Sequence, residues 1–199
     1  MSGIEQTATQ TPGKKLSARG GRLKKTVVMV GMMGAGKTAV GRALALRLGV
    51  PFLDSDAEIE TAANMAVPEI FTRDGESFFR RKESQVIARL LEDASGILST
   101  GGGAFLSEAN RRLISQRGVS VWLNADADVL WNRVRHKESR PLLKTPDPRG
   151  TLQQLYDARQ PIYSEADLMV RSDGQATVEQ MVDRVLAALG TRPDVLDPA

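Results

Sequence analysis

Short, uninterrupted apolar runs alternate along the chain with longer segments in which apolar residues recur every three or four positions. Such runs are typical of buried strands in a parallel sheet, and we predict five of them, at residues 26–30, 50–53, 97–99, 119–123 and 168–170. Helical periodicity separates them and is clearest near the C-terminus, at Val178, Met181, Val182, Val185, Leu186 and Leu189. Strands and helices that alternate in this way predict an α/β sandwich with a parallel sheet.

Polar residues and one irregular segment delimit the predicted helices. Asp and Ser side chains accept hydrogen bonds from the first N–H groups of a helix, so we expect Asp74, Ser107 and Asp126 to cap the helices that follow them. Residues 135–150 break the periodicity, because they contain three prolines and a cluster of basic residues. A polar loop of this length in a compact domain is usually functional or disordered, and we interpret it as a mobile lid.

The composition places limits on where the protein works. A chain of 199 residues suits one domain with a proper core, and the absence of Cys excludes a disulfide framework and a thiolate metal site. No apolar stretch approaches the length that spans a bilayer, and residues 1–25 lack the apolar core of a secretory signal. We expect a cytoplasmic protein with a disordered basic arm at 1–25, a folded domain at 26–190 and a polar tail at 191–199.

The charge of the chain is compatible with several partners. The net charge is +3 and the sequence pI is about 9.4, which suits an anionic small substrate as well as a nucleic acid. Aromatic residues are only 5% of the chain, so a stacking platform for single strands is not expected. We therefore predict neither a nucleic-acid nor a membrane partner. We also predict a monomer, because no surplus apolar helix face stands out.

Residues 31–38 fit the phosphate-loop pattern of Gly, four residues, Gly, Lys and then Ser or Thr. Glycines let the backbone wrap round a polyphosphate, with its N–H groups pointing inward. Lys37 would reach the β and γ phosphates, and the Thr38 hydroxyl would hold Mg²⁺. A glycine-rich turn without a phosphate role is the alternative, but the preceding strand and following helix favour the phosphate loop. We assign nucleotide binding to Gly34, Ala35, Gly36, Lys37, Thr38 and Ala39.

Two carboxylates follow the second predicted strand, at Asp54 and Asp56. Residues two apart on an extended chain share a face, and the carboxyl ends of strands are where ligands bind in open α/β sheets. One acid would help to hold Mg²⁺ while the other meets a substrate hydroxyl. Capping of the next helix is the alternative interpretation.

A second polar group combines a charged helix face with a glycine-rich turn. Glu76, Arg80 and Glu83 are three or four residues apart, so they share a face of the predicted helix. The alternatives are an intrahelical salt bridge on a wet surface and an Arg80 that Glu83 holds in place to bind a substrate anion. Gly101, Gly102 and Gly103 follow the third strand, where a tight turn or a ligand requires bare backbone.

Several motifs together resemble the shikimate kinase family over residues 26–190. They are the phosphate loop, Asp54-Ser55-Asp56, and residues 75–81, 101–103, 140–143 and 159–163. The resemblance implies a P-loop fold like that of nucleoside monophosphate kinases, with a five-stranded parallel sheet. It also implies transfer of the γ-phosphate of ATP, with Mg²⁺, to the 3-hydroxyl of shikimate. This reaction lies on the route to chorismate and the aromatic amino acids.

The resemblance also implies roles for residues of the acceptor pocket. Asp56 would meet the shikimate hydroxyls and act as the base. Arg80 and Arg159 would clamp the carboxylate, and bidentate capture of a carboxylate suits arginine. Gly102 would offer its backbone N–H to the substrate.

On the nucleotide side, the resemblance assigns Arg140 to the lid, where it would contact the phosphates, and packs Arg133 on the adenine. It also implies that Asp54 lies near Mg²⁺ through water. Lys37, Arg140 and Mg²⁺ would then offset charge on the transferring phosphoryl group.

Other functions of a phosphate-loop protein are open to test. A gluconate kinase would keep the loop and the lid but change the acceptor pocket, and a nucleoside monophosphate kinase would accept a second nucleotide. A nucleotide-gated switch or a nucleic-acid-binding ATPase comes from a different class. The guanine-reading pattern Asn-Lys-x-Asp is absent, and only the basic arm favours nucleic acid.

Overall fold

The computed structural model describes residues 21–93, 95–136 and 141–197. Its five strands form one sheet in the order β2-β3-β1-β4-β5, and every neighbouring pair is parallel. The strands are β1 (Thr26–Val30), β2 (Phe52–Asp54), β3 (Ile97–Ser99), β4 (Gly118–Ala125) and β5 (Leu168–Ser172). The predicted five-stranded parallel sheet is therefore confirmed, although β2 begins two residues later and β4 and β5 run two residues further than expected.

Helices cover the sheet on both sides. They are α1 (Lys37–Leu48), α2 (Ser55–Ala63), α3 (Val67–Asp74), α4 (Glu76–Asp93), α5 (Glu108–Arg117), α6 (Ala127–Val134), α7 (Pro148–Tyr163) and α8 (Val178–Leu189). Helices α1 and α8 pack together, as do α4 and α5. Every residue of β1 and β4 is buried, as expected of central strands between two layers of helices. No helix in these described segments is long and apolar enough to cross a membrane.

The predicted helix caps have different outcomes. Ser107 accepts a hydrogen bond from the Asn110 N–H at 3.4 Å and caps α5, as expected. The prediction for Asp74 is wrong, because Asp74 ends α3 and its carboxylate accepts hydrogen bonds from Arg73. Asp126 stands at the N-cap position of α6, but its carboxylate pairs with Arg171 at 2.6 Å instead of with the helix.

The two ends of the described chain are joined to each other. Leu23 and Leu196 form an antiparallel bridge, and the Lys24 N–H donates to the Val195 carbonyl at 2.7 Å. Val195 is fully buried. The folded unit thus extends beyond the predicted limits of 26–190, because two apolar residues inside a polar segment anchor it to the core. The arm at 1–25 falls mostly outside the described residues and stays a prediction.

The predicted lid at 135–150 is shorter on its C-terminal side. Pro141–Leu143 forms one 3₁₀ turn, in which Leu143 is buried in the core. Helix α7 then begins at Pro148, because Asp147 accepts a hydrogen bond from the Gly150 N–H at 2.9 Å and caps it. Residues 137–140, which include the predicted lid arginine Arg140, lie outside the described residues.

Candidate active site

A cleft of about 430 Å³ opens at the carboxyl ends of β1, β2 and β3. Ligands bind at this edge in open α/β sheets, because the loops that leave the strands converge there. The loop after β1 forms the floor, and Arg133 and Val178 line the cleft together with the loop. The other lining residues come from the ends of β2 and β3, namely Asp54, Asp56, Ser99, Thr100, Gly101 and Gly102.

The loop after β1 has the backbone conformation of an anion nest. Gly31, Gly34 and Gly36 have φ values of +133°, +82° and +99°, which favour glycine. A Cβ at Gly34 would lie 2.7 Å from the Val134 side chain, so only glycine lets the loop pack on α6. Because α1 begins at Lys37 directly after this loop, its positive N-terminal end faces the cleft.

The predicted nucleotide-binding residues differ in their access to the cleft. Gly34, Gly36, Lys37, Thr38 and Ala39 line it, whereas Ala35 is buried behind the loop. The Lys37 ammonium group donates to the carbonyl oxygens of Gly31 and Met32 at 2.8 and 3.0 Å. The ammonium group therefore lies over the loop itself, close to the groups that would cradle a phosphate.

Arg133, on α6, stabilises the phosphate loop by hydrogen bonds to its backbone. Its guanidinium donates to the carbonyl oxygens of Gly34 and Ala35 at 3.2 and 3.4 Å, and to the Ser172 hydroxyl at 3.3 Å. It thus links the phosphate loop to the end of β5, and it also lines the cleft. The contacts that it makes here fix the backbone of the nucleotide-binding loop.

Asp54 caps the next helix, as one of the two interpretations predicts, and its second oxygen leaves the magnesium interpretation open. One carboxylate oxygen accepts from the N–H groups of Asp56 and Ala57 at 3.1 and 3.3 Å, and so caps α2. The other oxygen lies 3.5 Å from the Thr38 hydroxyl, and that hydroxyl lies 3.3 Å from the hydroxyl of Ser99. The cap therefore fixes the orientation of the oxygen that faces Thr38.

These oxygens fit a magnesium ion that arrives with a nucleotide. Mg²⁺ prefers oxygen ligands, keeps several waters and is usually bound through one or two protein groups plus the substrate phosphates. Thr38 and Asp54 would supply such a pair. In the parts of the chain that the structure describes, no three His, Cys, Asp or Glu side chains cluster as a metal cage, so a dedicated all-protein site is absent there.

Asp56 and Glu83 approach the same backbone position from two helices. A Cβ at Gly101 would lie 2.9 Å from Oδ1 of Asp56 and 2.9 Å from Oε1 of Glu83. Within the described segments, neither buried oxygen has a hydrogen-bond partner. Burial raises the pKa of the Asp56 carboxyl, and the Asp54 carboxylate adds to the rise, while Lys37 and Arg80 oppose it.

Arg80 is fixed by two carboxylates of its own helix. It donates to Glu83 at 2.8 Å and to Glu76 at 3.1 Å, and its guanidinium lies 5.3 Å from the centre of the Phe79 ring. Glu83 is only 1% exposed, so the interpretation as a wet surface salt bridge is wrong for the Arg80–Glu83 pair, but it fits the Arg80–Glu76 pair, in which Glu76 is 60% exposed. Burial raises the pKa of Glu83 from 4.5 to about 7, although Arg80 opposes the rise.

The remaining predicted acceptor residues meet at the glycine turn. The Tyr163 hydroxyl donates to the Gly102 carbonyl, and Arg159 lies one helical turn earlier on α7. Both Arg159 and Arg80 lower the pKa of the Tyr163 hydroxyl, which burial raises to about 12. Both arginines therefore lie near the Tyr163 hydroxyl, whereas only Asp56 and Gly102 among the predicted acceptor residues line the cleft itself.

Comparison with known families identifies this arrangement. A family model described as shikimate kinase matches residues 33–190, which is most of the chain and includes most of the phosphate loop, both aspartates and the glycine turn. The chain belongs to the shikimate kinase family.

Individual relatives agree with the family match. A shikimate kinase from Ruegeria pomeroyi is 71% identical over 197 residues, covering 99% of both chains. A solved structure of the shikimate kinase from Acinetobacter baumannii in complex with shikimate is 36% identical, with a TM-score of 0.80, and covers 84% of this chain and 94% of that one. A gluconokinase from Sinorhizobium meliloti shares the fold alone, at 20% identity and a TM-score of 0.58.

The sequence alone did not reveal two features of this shikimate kinase site. Tyr163 occurs in one of the family motifs, but no local pattern indicates that its hydroxyl reaches Gly102, which is 61 residues away. The burial of Glu83 is also hidden, because the spacing of charges on a helix is the same for an exposed and a buried pair. The burial of Glu83 would be indicated by a polar residue inside an otherwise apolar contact between helices. Such a contact can be recognised only once the tertiary structure is known.

Proposed function

We propose that this protein transfers the γ-phosphoryl group of ATP to the 3-hydroxyl of shikimate and releases shikimate 3-phosphate and ADP. The observation that carries the proposal is the meeting, in one cleft, of a phosphate loop with Asp56 and Gly102, next to a glycine turn that the Arg80 guanidinium and the Tyr163 hydroxyl both approach. Membership of the shikimate kinase family and 71% identity to a shikimate kinase support it.

The nucleotide half of the cleft would hold ATP through its phosphates. The loop N–H groups between Gly34 and Ala39 and the N-terminal end of α1 favour anionic charge. Lys37 would move from its loop carbonyls to the β and γ phosphates. Thr38 and Asp54 would hold Mg²⁺, with Asp54 acting through water, and the ion would offset charge on the phosphates. Arg133 and Arg140 would complete this half, at the base and over the phosphates respectively.

The acceptor half would hold a small carboxylic acid bearing hydroxyls. Arg80 and Arg159 would bind its carboxylate, since a guanidinium group can donate two parallel hydrogen bonds to a carboxylate. Hydrogen bonds between charged groups are also stronger than those between neutral groups. Gly102 would contribute its backbone N–H. Two carboxylates of α4 already hold Arg80 in place, so little side-chain entropy is lost when the substrate arrives.

The transfer step needs an acceptor oxygen in line with the γ-phosphorus. A bond forms between the substrate oxygen and phosphorus while the bond to the bridging oxygen of ADP breaks. The hydroxyl proton passes to the Asp56 carboxylate, whose raised pKa makes it a better acceptor than an exposed aspartate. Closure of the segment around Arg140 would exclude water, the competing acceptor.

The cellular setting belongs to the same proposal. We infer a monomer in the cytoplasm, where ATP is available. In the described segments, the exposed large apolar side chains are Leu46, Leu142, Met169 and Val178, which come from four separate elements. Scattered apolar residues of this kind are normal on a monomer. Light scattering in solution would test the oligomeric state.

A coupled assay of ADP release tests the proposed activity. Mg-ATP is offered with shikimate, gluconate, AMP or no acceptor, and turnover is expected with shikimate alone. Asp56→Asn serves as the matched variant, because it keeps the shape of the side chain but cannot take the proton. ADP release that does not depend on shikimate would overturn the acceptor assignment, and turnover with gluconate would redirect it to a sugar acid.

A further inference from the structure

Tyr163 has a buried environment that is unusual for a hydroxyl at the edge of a polar cleft. It is the last residue of α7 and is only 1% exposed. Its ring stacks with those of Phe105 and Trp122, at centroid distances of 6.4 and 6.2 Å. The hydroxyl carries its proton at neutral pH and donates it to the Gly102 carbonyl, and burial raises its pKa further, to about 12.

The acceptor of that hydrogen bond lies in the least constrained part of the backbone. Three consecutive glycines lose more conformational freedom on ordering than any other residues. The flanks of the turn are anchored by Thr100, whose hydroxyl donates to Met29 at 3.1 Å, and by buried Asn110, which donates to the Ala104 carbonyl at 2.9 Å. Tyr163 supplies a side-chain anchor at the middle glycine, Gly102.

The same tyrosine also fixes the helix that carries Arg159. Residues four apart lie on one face of a helix, so Arg159 projects beside Tyr163, and its guanidinium is close enough to lower the pKa of the Tyr163 hydroxyl. Helix α7 contains Pro161 in its last turn, where a backbone N–H is missing. The buried Tyr163 ring thus secures a helix end that its own backbone holds less firmly.

We infer that Tyr163 is a positioning residue for the acceptor substrate, which sets the Gly102 turn and Arg159 relative to each other through its hydroxyl. The inference rests on the proposed function and deepens it. Two groups that would bind the acceptor come from distant parts of the chain, and Tyr163 contacts both. Loss of the hydroxyl would free the glycine turn while the ring keeps its place in the core.

A merely structural role would have a different signature. Trp122 packs against Tyr163 on one side and, on the other, lies 3.2 Å from where a Cβ of Gly31 would stand in the phosphate loop. A general loosening of this aromatic stack would therefore weaken ATP binding and acceptor binding together. Loss of the hydroxyl alone would act mainly on the acceptor side, because Arg159 belongs to that side and the aromatic rings that lie next to the phosphate loop stay in place, although Gly102 itself also lies beside that loop.

The test compares Tyr163→Phe with Tyr156→Phe, which changes the chain's other tyrosine on the same helix. We measure kcat, KM for shikimate, KM for ATP and the melting temperature of each. For Tyr163→Phe, the KM for shikimate is expected to rise about tenfold, with the KM for ATP within about twofold of wild type, as expected for loss of one buried hydrogen bond that orients substrate-binding groups. Tyr156→Phe is expected to match wild type.

Two results would overturn the inference alone. One is an unchanged KM for shikimate in Tyr163→Phe, and the other is a parallel rise in both KM values with a large fall in melting temperature. Wild-type enzyme without shikimate-dependent turnover in the same series would instead overturn the proposed function, and the inference with it. The measurement on the wild-type enzyme therefore distinguishes failure of the inference from failure of the proposed function.

Discussion

The Glu83 carboxylate lies 2.8 Å from the Arg80 guanidinium, although Glu83 is almost fully excluded from solvent while Arg80 is 30% exposed. The arginine thus reaches towards the cleft, and its partner remains in the interior between α4 and the glycine turn. The second oxygen of Glu83 lies beside Gly101, where the unpartnered oxygen of Asp56 also points. The proposed base, Asp56, and the arginine proposed to bind the substrate carboxylate, Arg80, therefore approach the same buried glutamate.

Glu83 should make the stability of the protein depend on pH. Its pKa is about 7 in the folded protein against 4.5 in the unfolded chain, so between these values the folded state binds more protons. The free energy of unfolding should then fall as pH rises from about 4.5 to 7, and level off above, by roughly 3 kcal/mol at most. The measurement is urea unfolding across this range for wild type and Glu83→Gln.

The Glu83→Gln variant isolates this effect from the titration of Asp56, whose pKa is also raised. The wild-type stability minus that of the variant should fall over the same window, because glutamine does not titrate. A difference that is flat between pH 4.5 and 7 would contradict the buried, proton-holding carboxyl. Exposed Glu179→Gln on α8 is the matched control, and its difference should be close to zero.

Gly101→Ala should disturb the two carboxylates without dismantling the nucleotide loop. The new methyl group would lie 2.9 Å from an oxygen of each, and both oxygens are buried, so one side chain must move. Overpacking of this kind costs about 1–3 kcal/mol of stability, and kcat/KM for shikimate should fall by about ten- to a hundredfold with KM for ATP nearly unchanged. Steady-state kinetics and thermal melting would measure both.

Gly190→Ala is the control for that substitution. Gly190 has a φ of −61° at the end of α8, and a Cβ there would come no closer than 3.4 Å to its neighbours. Its activity should equal that of wild type. Equal activity of Gly101→Ala as well would show that the space beside Gly101 is not needed for turnover.

Asp54→Asn should weaken magnesium binding while preserving the cap of α2. An asparagine oxygen can still accept from the N–H groups of Asp56 and Ala57, but it lacks the charge that would face the ion. Since Asp54 would act through water, the Mg²⁺ concentration for half-maximal activity should rise about 10- to 100-fold. Titration with Mg²⁺ at saturating ATP and shikimate makes the measurement.

The matched control is Asp126→Asn, which removes an exposed carboxylate from another N-cap position. Its magnesium dependence should stay at the wild-type value. If Asp54→Asn shows the same magnesium dependence as this control, Asp54 has no part in holding the ion.

Lys37→Met should remove transfer while leaving the fold in place. The ammonium group lies over the phosphate loop at the base of the cleft, where it would offset charge on the transferring group. Loss of one such preorganised donor lowers kcat by about 10²- to 10³-fold. Lys82→Met, an exposed lysine on α4, should keep full activity, and near-normal turnover of Lys37→Met would remove the lysine from the site.

Leu196→Ala should destabilise the protein without changing its chemistry. Leu196 is 7% exposed and pairs with Leu23, and truncation of a buried leucine costs about 2–5 kcal/mol. The exposed leucine of α1, Leu46, is 80% exposed, so Leu46→Ala should be nearly neutral. Chemical unfolding compares the two, and equal stabilities would mean that the C-terminal segment adds nothing to the core.

Local patterns were enough to predict the sheet and the nucleotide loop. Uninterrupted apolar runs reveal buried strands whatever lies around them, and the glycine spacing of residues 31–38 has a local mechanism. Asp74 was predicted to cap α4, but Gly75, with φ of +82°, separates α3 from α4. Asp74 is therefore the last residue of α3. A polar residue before a helical pattern does not reveal which helix it belongs to.

Features that depend on distant contacts could not be predicted. The bridge between Leu23 and Leu196 joins residues from opposite ends of the sequence, and two apolar residues give no measurable period. The hydrogen bond from Tyr163 to Gly102 and the burial of Glu83 likewise arise only when α4, α7 and the glycine turn have packed. The resemblance to a family supplied the acceptor residues, but not the contacts that fix them.

The pairing of the two ends has a practical consequence for handling the protein. Leu23 lies just before β1 and Leu196 beside it, whereas the phosphate loop leaves the opposite end of that strand. Five residues of strand separate these points by about 16 Å. A label attached next to this bridge would therefore stand on the side of β1 opposite the phosphate loop, with the nucleotide cleft still facing the solution.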